Sequence, residues 1–403
     1  MIVFPITLLF TLVFINRYFG GLLLKKLKGQ AFDRSTQGYE PTVTVIIPLF
    51  NEGEGIYHTV RSLLRQDYPK EKLNIIVVDD CSRDDSFRWA KRAERHFPGR
   101  VRAIQNPYNM GKRRGINNAV RHARSEIIVS VDSDVLVHRQ AVRRLIARFT
   151  DPKIAAVGGR VCVSNPHENW LTRMQTIKYF FGYEYMKNLE NYFSTVMCLS
   201  GCLTAYRRHV LVELEPILED RSVAGVPIRY GEDRFLTRQI LKAGYRTRTT
   251  LDAVCWTVAP NTLSKYFAQQ LRWRRSNLID FFGGTSHVWR LHPIVALHYT
   301  TLFAVEASYP VILAHNLVYG VFWGFAAFNI AVLAAFGVTY GLGTRHLPPA
   351  QRVHPLWAIA MAAIMPVTYL VITPLAFFTL DSSSWETRSH TPPTPAAIAA
   401  TTQ

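Results

Sequence analysis

The sequence predicts a parallel, doubly wound α/β domain joined to apolar segments of membrane type. Three observations carry this expectation. β-Branched runs alternate with helix-period segments between Val43 and Val131, two of those runs end abruptly in acidic residues, and charge is unevenly spread. Charged residues crowd positions 50–290, whereas Ile294 to Leu380 holds almost none. Strands alternating with helices build a parallel sheet covered on both faces. Such sheets take ligands at the carboxyl ends of their strands, where both acidic clusters fall.

Ile2 to Leu24 is apolar except for Asn16 and Arg17, and leads into Lys25, Lys26 and Lys28. About 20 apolar residues span a bilayer, and a basic flank holds the downstream chain in the cytosol. A signal peptide is the alternative reading, but no A-x-A-like cleavage site is present and the charges lie on the wrong side. Residues 1–28 are therefore expected to form an N-terminal transmembrane anchor. A polar linker, Gly29 to Glu40, precedes the run Val43 to Pro48, which is of strand type. Ile56, Val60, Leu63 and Leu64 share one helical face within Gly55 to Arg65. Leu73 to Val78 is a second apolar run ending in Asp79-Asp80-Cys81-Ser82. A further helix pattern, a short strand near Val101 to Ile104 and a helix through Gly115 to Arg124 come next. Glu126 to Val131 then ends in Asp132-Ser133-Asp134. Ile294 to Tyr319 and Val321 to Leu342 are each long enough to span. Val353 to Leu380 is apolar but carries Pro355, Pro366 and Pro374, so a third span and a kinked interfacial segment both fit. The Thr/Pro/Ala-rich tail from Thr391 to Gln403 reads as disordered. The expected organisation is an anchor (1–28), a cytosolic α/β domain with interfacial helices at its end (40–290), a helical membrane domain of two or three spans (291–380), and a C-terminal element with a tail (381–403).

At 403 residues and a net charge of +18, the chain has room for one large α/β domain and a further segment. The positive charge suits the cytosolic flanks of spans, anionic lipid headgroups, and a diphosphate substrate or polyanionic product. A nucleic-acid partner is argued against by the apolar C-terminal third. Cys81, Cys162, Cys198, Cys202 and Cys255 are odd in number and lack paired metal-ligand spacing, which reads as reduced thiols.

Five short segments carry chemistry, each with a plainer alternative. Asp132 and Asp134 at a strand end can hold a hard divalent cation that in turn holds a diphosphate. Helix N-capping fits the same residues. Asp79 and Asp80 end the other strand, placed to accept hydrogen bonds from a ribose or base, or simply to form a turn. Asn109 to Gly115 (Asn-Met-Gly-Lys-Arg-Arg-Gly) is a basic turn before a helix. It either sets Lys112 and backbone N–H groups against phosphate or is solvated. In Gly231-Glu232-Asp233-Arg234, Asp233 is positioned as a general base or as a charge on a helix dipole. Gln269-Gln270-Leu271-Arg272-Trp273 offers a cation for a leaving diphosphate and a flat face for a sugar; Trp and Arg also mark membrane interfaces.

In this order, these motifs resemble those of the family 2 processive glycosyltransferases, with hyaluronan synthases, chitin synthases and rhizobial chito-oligosaccharide synthases nearest. The resemblance covers about Thr42 to Trp273. It implies a GT-A fold, with Asp80, Asp79 and Lys112 at the donor and Asp132 and Asp134 as the DxD motif. Asp134 is then the direct ligand of Mg²⁺ or Mn²⁺. It makes Asp233, with Glu232 beside it, the base of a GDD or GED motif. It sets Gln269, Arg272 and Trp273, the QxxRW motif, by the donor diphosphate and the acceptor. Cys198 to Arg207 is similar to the family's CxSGP…YR acceptor segment, contributing Cys198, Ser200 and Gly201. Cys202 stands where proline is usual. Ser382 to Arg388 is similar to a WGTR gating element, with Glu386 in place of glycine. A return of Trp385 to the cytosolic side favours two spans plus an interfacial Val353–Leu380.

The function this resemblance implies is inverting, metal-dependent transfer from a UDP-sugar to a growing β-linked polysaccharide, coupled to export. UDP-GlcNAc is the first donor, alone or alternating with UDP-glucuronate. The implied place is the plasma membrane, with a cytosolic catalytic domain and no nucleic-acid partner. The rival readings are a non-processive transferase acting on a lipid-linked acceptor and a nucleotide-sugar-binding transporter or receptor without turnover. The sequence leaves the oligomeric state open.

Overall fold

The structure, a computed structural model, describes residues 35–381 apart from positions 37, 220, 224, 229 and 321, together with positions 20, 23 and 26. The expected anchor at Ile2–Leu24 lies almost wholly outside the described residues, and the Ser382–Arg388 element and the tail lie entirely outside them.

Along the chain the structure forms β1 (Val43–Leu49), α1 (Gly55–Leu64), β2 (Leu73–Asp79), α2 (Ser86–His96), β3 (Val101–Gln105), α3 (Lys112–His122), β4 (Ile127–Ser130), β5 (Leu136–Val137), α4 (Ala141–Ile146) and β6 (Ile154–Val163). Next come α5 (Trp170–Phe181), β7 (Thr204–Arg207), α6 (Arg208–Glu219), a hairpin of β8 (Ser222–Val223) and β9 (Val226–Pro227), α7 (Glu232–Lys242), β10 (Arg246–Thr257) and three long helices, α8 (Leu263–Val288), α9 (Pro293–Val318) and α10 (Phe322–Gly343). The contacts divide the chain into two compact units. One comprises Asp33–Ser164 and Val196–Val258, the other Asn165–Thr195 and Ala259–Leu380.

The first unit is built on an eight-stranded sheet of order β3-β2-β1-β4-β7-β6-β10-β5. All seven residues of β1 are buried, as expected of a strand covered on both faces. The expectation of a parallel sheet holds for β3, β2, β1 and β4, and again for β6 with β10. It fails at β7, which runs antiparallel to both β4 and β6, and at the edge strand β5. The sheet is therefore mixed. β7 escaped the sequence because Thr-Ala-Tyr-Arg is too short to show a period; its burial comes from the neighbours it separates. Ile46, Ile76, Val78, Ile128 and Ala156 pack beneath Ala119, Val120, Val210, Leu214, Phe235 and Ile240 of α3, α6 and α7. Each such aliphatic side chain contributes about 1.5–3 kcal/mol by leaving water. Of these helices, α3 and α7 carry the N-termini that matter below.

The second unit holds α5, α8, α9 and α10. Asn169 caps α5 by accepting from the N–H groups of Leu171 and Thr172, while Thr172 bonds back to it, a capping box. Ile177, Phe180 and Phe181 of α5 pack with Leu333, Phe336 and Tyr340 of α10. Among the described residues one helical stretch, Pro349–Phe378, is long and apolar enough to cross a membrane. Between Pro366 and Pro374 it passes through a π-turn at Thr368–Ile372, the local adjustment that imino acids within a helix require.

The sheet is tightest at Gly159 of β6. A Cβ there would stand 2.6 Å from the carbonyl oxygen of Ala253 and 2.6 Å from Leu203 Cδ2. Gly159→Ala is expected to destabilise the protein by about 1–3 kcal/mol, read as a lowered thermal midpoint. An unchanged midpoint would mean that the strands there are loosely packed.

Candidate active site

β4 ends at Ser130, and the chain turns through Asp132-Ser133-Asp134 into β5. The next helix, α4, starts at Ala141, so this acidic turn caps no helix and its carboxylates face other partners. Asp132 Oδ1 meets Lys112 Nζ at 2.7 Å, and Asp132 Oδ2 accepts from Cys202 Sγ at 3.4 Å. Asp134 Oδ2 accepts from Thr257 Oγ1 at 3.2 Å, at the end of β10. The turn is pinned from behind by Thr59 Oγ1, which donates to the Ser133 carbonyl at 2.7 Å.

Lys112 opens α3. It faces not only Asp132 but also Glu232 Oε1 at 3.1 Å and Asp233 Oδ1 at 3.9 Å, in the first turn of α7. Carboxylates from two separate parts of the sequence thus converge on one ammonium group. Burial works against its charge, yet the carboxylates of Asp132, Asp233 and Glu232 overrule it and hold its pKa well above the ordinary lysine value. For Asp233 the balance goes the other way. Burial raises its pKa to about 6, with Lys112 opposing and Glu232 and Asp132 adding to the rise. An aspartate poised there accepts a proton near neutral pH more readily than an ordinary one. The dipole of α7 also favours Glu232 and Asp233, so the capping reading and the site reading hold together.

Asp233 is held by the loop 198–203. Gly201 N donates to Asp233 Oδ2 at 2.8 Å. A Cβ on Gly201 would stand 2.7 Å from Asp233 Oδ1 and 2.8 Å from Lys112 Nζ, so glycine is what lets the loop close on the pair. Thr237 Oγ1 donates to the Asp233 carbonyl and accepts from Leu199 N, tying α7 to the same loop. Ser200 Oγ accepts from the backbone N–H of Cys202 at 3.3 Å. Proline, the usual residue there, has no such N–H, and the substitution gives the loop this bond. Cys198 is partly buried, its thiol 3.7 Å from the Leu199 carbonyl oxygen, and all five cysteines are free thiols.

Asp79 and Asp80 are buried and bonded inward. Asp79 accepts from Ser82 and from Gln105 Nε2. Asp80 accepts from Asn106 Nδ2 at 2.9 Å and from the N–H groups of Met110 and Gly111 at 2.8 and 2.7 Å. Its carboxylate thereby fixes the turn that launches α3, with Gly111 at a φ of 84° where a side chain would be strained. Gln269, Arg272 and Trp273 lie on the first half of α8, in the second unit. The motifs passed over Glu52, whose Oε1 accepts from Ser133 Oγ at 3.1 Å and so borders the acidic turn. Its signal was present: Asn51-Glu52 comes directly after β1, at the carboxyl end of the sheet.

Asp132 and Asp134 supply hard oxygen ligands at one strand end, and among the described residues no cluster of three or more metal-type side chains adds to them. Two carboxylates at a strand end are of a kind that suits Mg²⁺ or Mn²⁺, which take one or two from a protein and the rest of their shell from phosphates and water.

The chain is similar to known glycosyltransferases. The family described as "Glycosyltransferase like family 2" matches residues 41–276. An N-acetylglucosaminyltransferase of Rhizobium meliloti (strain 1021) is 37% identical over 257 residues, 64% of this chain and 60% of that protein. One from Bradyrhizobium diazoefficiens is 32% identical over 356 residues, 87% of this chain and 72% of that protein. Among solved structures, a mannosyltransferase from Pyrobaculum calidifontis in complex with GDP-Man and Mn²⁺ superposes with a TM-score of 0.55 at 22% identity, covering 91% of this chain and 99% of that one. The likeness establishes a GT-A-like fold.

Lys112→Met would leave three clustered carboxylates without their cation. It is expected to cost about 3 kcal/mol, seen as a lower thermal midpoint at pH 8. The deficit should shrink as pH falls towards about 6 and then level off, because Lys112 lowers the pKa of Asp233 and without it the proton is taken up at higher pH than in the parent; a pH-independent deficit would contradict the charge cluster.

Proposed function

This chain belongs to glycosyltransferase family 2, and from that premise we propose that it is a membrane-embedded, inverting hexosyltransferase that extends a β-linked polysaccharide from a UDP-sugar. The observation that carries the reading is the meeting of Lys112 with Asp132, Glu232 and Asp233. One cation there links the acidic turn suited to a donor diphosphate with the carboxylate suited to an acceptor.

In this mechanism Asp233 takes the proton of the acceptor hydroxyl. The freed oxygen attacks the anomeric carbon as the bond to the diphosphate oxygen breaks on the opposite face. One displacement turns an α-linked donor into a β-glycoside. Asp132 and Asp134 are the residues that would hold Mg²⁺ or Mn²⁺, which supplies positive charge to the departing diphosphate. Lys112 adds its own charge on the same side. Asp80 serves the donor through the turn it anchors, and Ser200, Gly201 and Cys198 shape the acceptor side around Asp233. Gln269, Arg272 and Trp273 are assigned to the diphosphate and the acceptor sugar on their spacing within α8.

Similarity to N-acetylglucosaminyltransferases supports UDP-N-acetylglucosamine as donor, used alone or alternating with UDP-glucuronate. The Pro349–Phe378 stretch supports membrane embedding; the plasma membrane, a cytosolic site, processive extension and export through the apolar helices complete the reading.

The test is nucleotide release by purified protein in detergent or nanodiscs, given UDP-sugars singly and in pairs with Mn²⁺ or Mg²⁺. UDP-GlcNAc alone is expected to yield a chitinase-sensitive polymer. A need for UDP-glucuronate would move the product to an alternating one, and release with no polymer would favour single transfer to a lipid-linked acceptor. Asp134→Ala should abolish turnover; a variant equal to the parent would remove the metal assignment. Asp233→Asn should lower turnover by about 10²–10⁴-fold. In the parent, turnover should fall as pH drops through about 6, where the base becomes protonated.

A further inference from the structure

The second unit contains a polar relay that the mechanism above does not use. Lys178, on α5, donates to Gln270 Oε1 at 2.7 Å and to Tyr266 Oη at 3.2 Å, both on α8. Its ammonium also stands 5.4 Å from the centre of the Tyr266 ring, within the range of a cation–π contact. Tyr266 and Gln270 are buried, at 1% and 7% exposure. No carboxylate pairs with Lys178 among the described residues. Such an arrangement is costly. Burial brings this lysine down to about 7, and Arg274 nearby adds to the fall. A hydrophobic residue would satisfy the packing of α5 on α8 at lower cost.

What a lysine supplies there is direction. A glutamine amide has an acceptor end and a donor end, and fixing one fixes the other. With Gln270 Oε1 bound to Lys178, Gln270 Nε2 faces Gln269 Oε1, at 3.5 Å. Gln269 Oε1 is thereby turned towards its neighbour, and its NH₂ becomes the end offered outward. One turn further on, Trp273 sits 6.4 Å from Tyr179, the residue after Lys178. The same helix, α5, therefore braces both ends of the Gln269–Trp273 segment.

We infer that Lys178 is a positioning residue that orients Gln269, through Gln270, to donate a hydrogen bond to a substrate oxygen. The inference rests on the proposed placing of the Gln269–Trp273 segment at the substrates. The oxygen belongs either to the donor diphosphate or to a sugar hydroxyl of the acceptor, and both offer the same acceptor chemistry.

The experiment is a double-mutant cycle on the full chain, with UDP-GlcNAc, Mn²⁺ and an N-acetylglucosamine oligomer as acceptor. Lys178→Met should lower kcat/KM by about tenfold, as expected when a positioned group is displaced. In a Gln269→Ala background the same change should have almost no further effect, because the amide it orients is gone. Lys178→Arg, which keeps a donor at the site, should restore most of the activity. A rise confined to the KM of UDP-GlcNAc would locate the oxygen on the donor, and one confined to the KM of the oligomer would locate it on the acceptor. Losses that multiply independently, or a Lys178→Met enzyme equal to the parent, would overturn the inference. If Lys178→Met fails to fold, Lys178→Gln enters the same cycle. A fully active Gln269→Ala alongside an inactive Asp233→Asn would instead remove the reading of the α8 segment, and this inference with it.

Discussion

The site depends on one lysine standing among three carboxylates. Asp132, Glu232 and Asp233 come from two segments far apart in sequence, whose like charges would repel if brought together alone. Lys112 Nζ, within 2.7–3.9 Å of all three, makes their convergence tolerable. Its position is itself determined upstream. Asp80 holds the N–H groups of Met110 and Gly111, that turn starts α3, and α3 delivers Lys112 in its first position. A buried carboxylate at the end of β2 thus governs an ammonium at the centre of the charge cluster, although the two side chains have separate bonding partners.

A second constraint is steric. The loop that carries Ser200 can approach Asp233 because residue 201 has no side chain. The bond from Gly201 N then supports the ionised form of Asp233, offsetting part of what burial does to it. Burial, the neighbouring cation and one backbone donor together set how readily this group exchanges a proton.

Much of this was legible in the sequence, and the reasons for success and failure differ by element. β1, β2 and β4 announced themselves because strands covered on both faces need unbroken Val and Ile runs. Their acidic ends marked the ligand edge, and the motif order pointed to the family. β7 gave no such signal: its four residues are buried by tertiary placement alone. Glu52 was missed because one acidic residue in a turn looks like solvent-facing charge until Ser133 is seen beside it. Lys178 was invisible for a related reason. A lysine is ordinarily expected to face water, and only the packing of α5 on α8 encloses this one. The inward bonding of Asp80 likewise required knowing that the turn at Gly111 folds back over the strand end.

The sheet order carries a consequence for how the chain is made. During synthesis β1 to β4 emerge first and can pair among themselves, but the free side of β4 has no partner until β7 appears some seventy residues later. Only then can β6 dock, on the far side of β7, with β10 joining after it. For that interval the nascent chain displays an open, apolar strand edge of the kind that invites pairing with another copy. Joining the two halves of the sheet thus waits for a short central strand, and the loop 198–203, which leads into that strand, is placed in the same event. A chain stalled before β7 would have neither a continuous sheet nor the loop that meets Asp233.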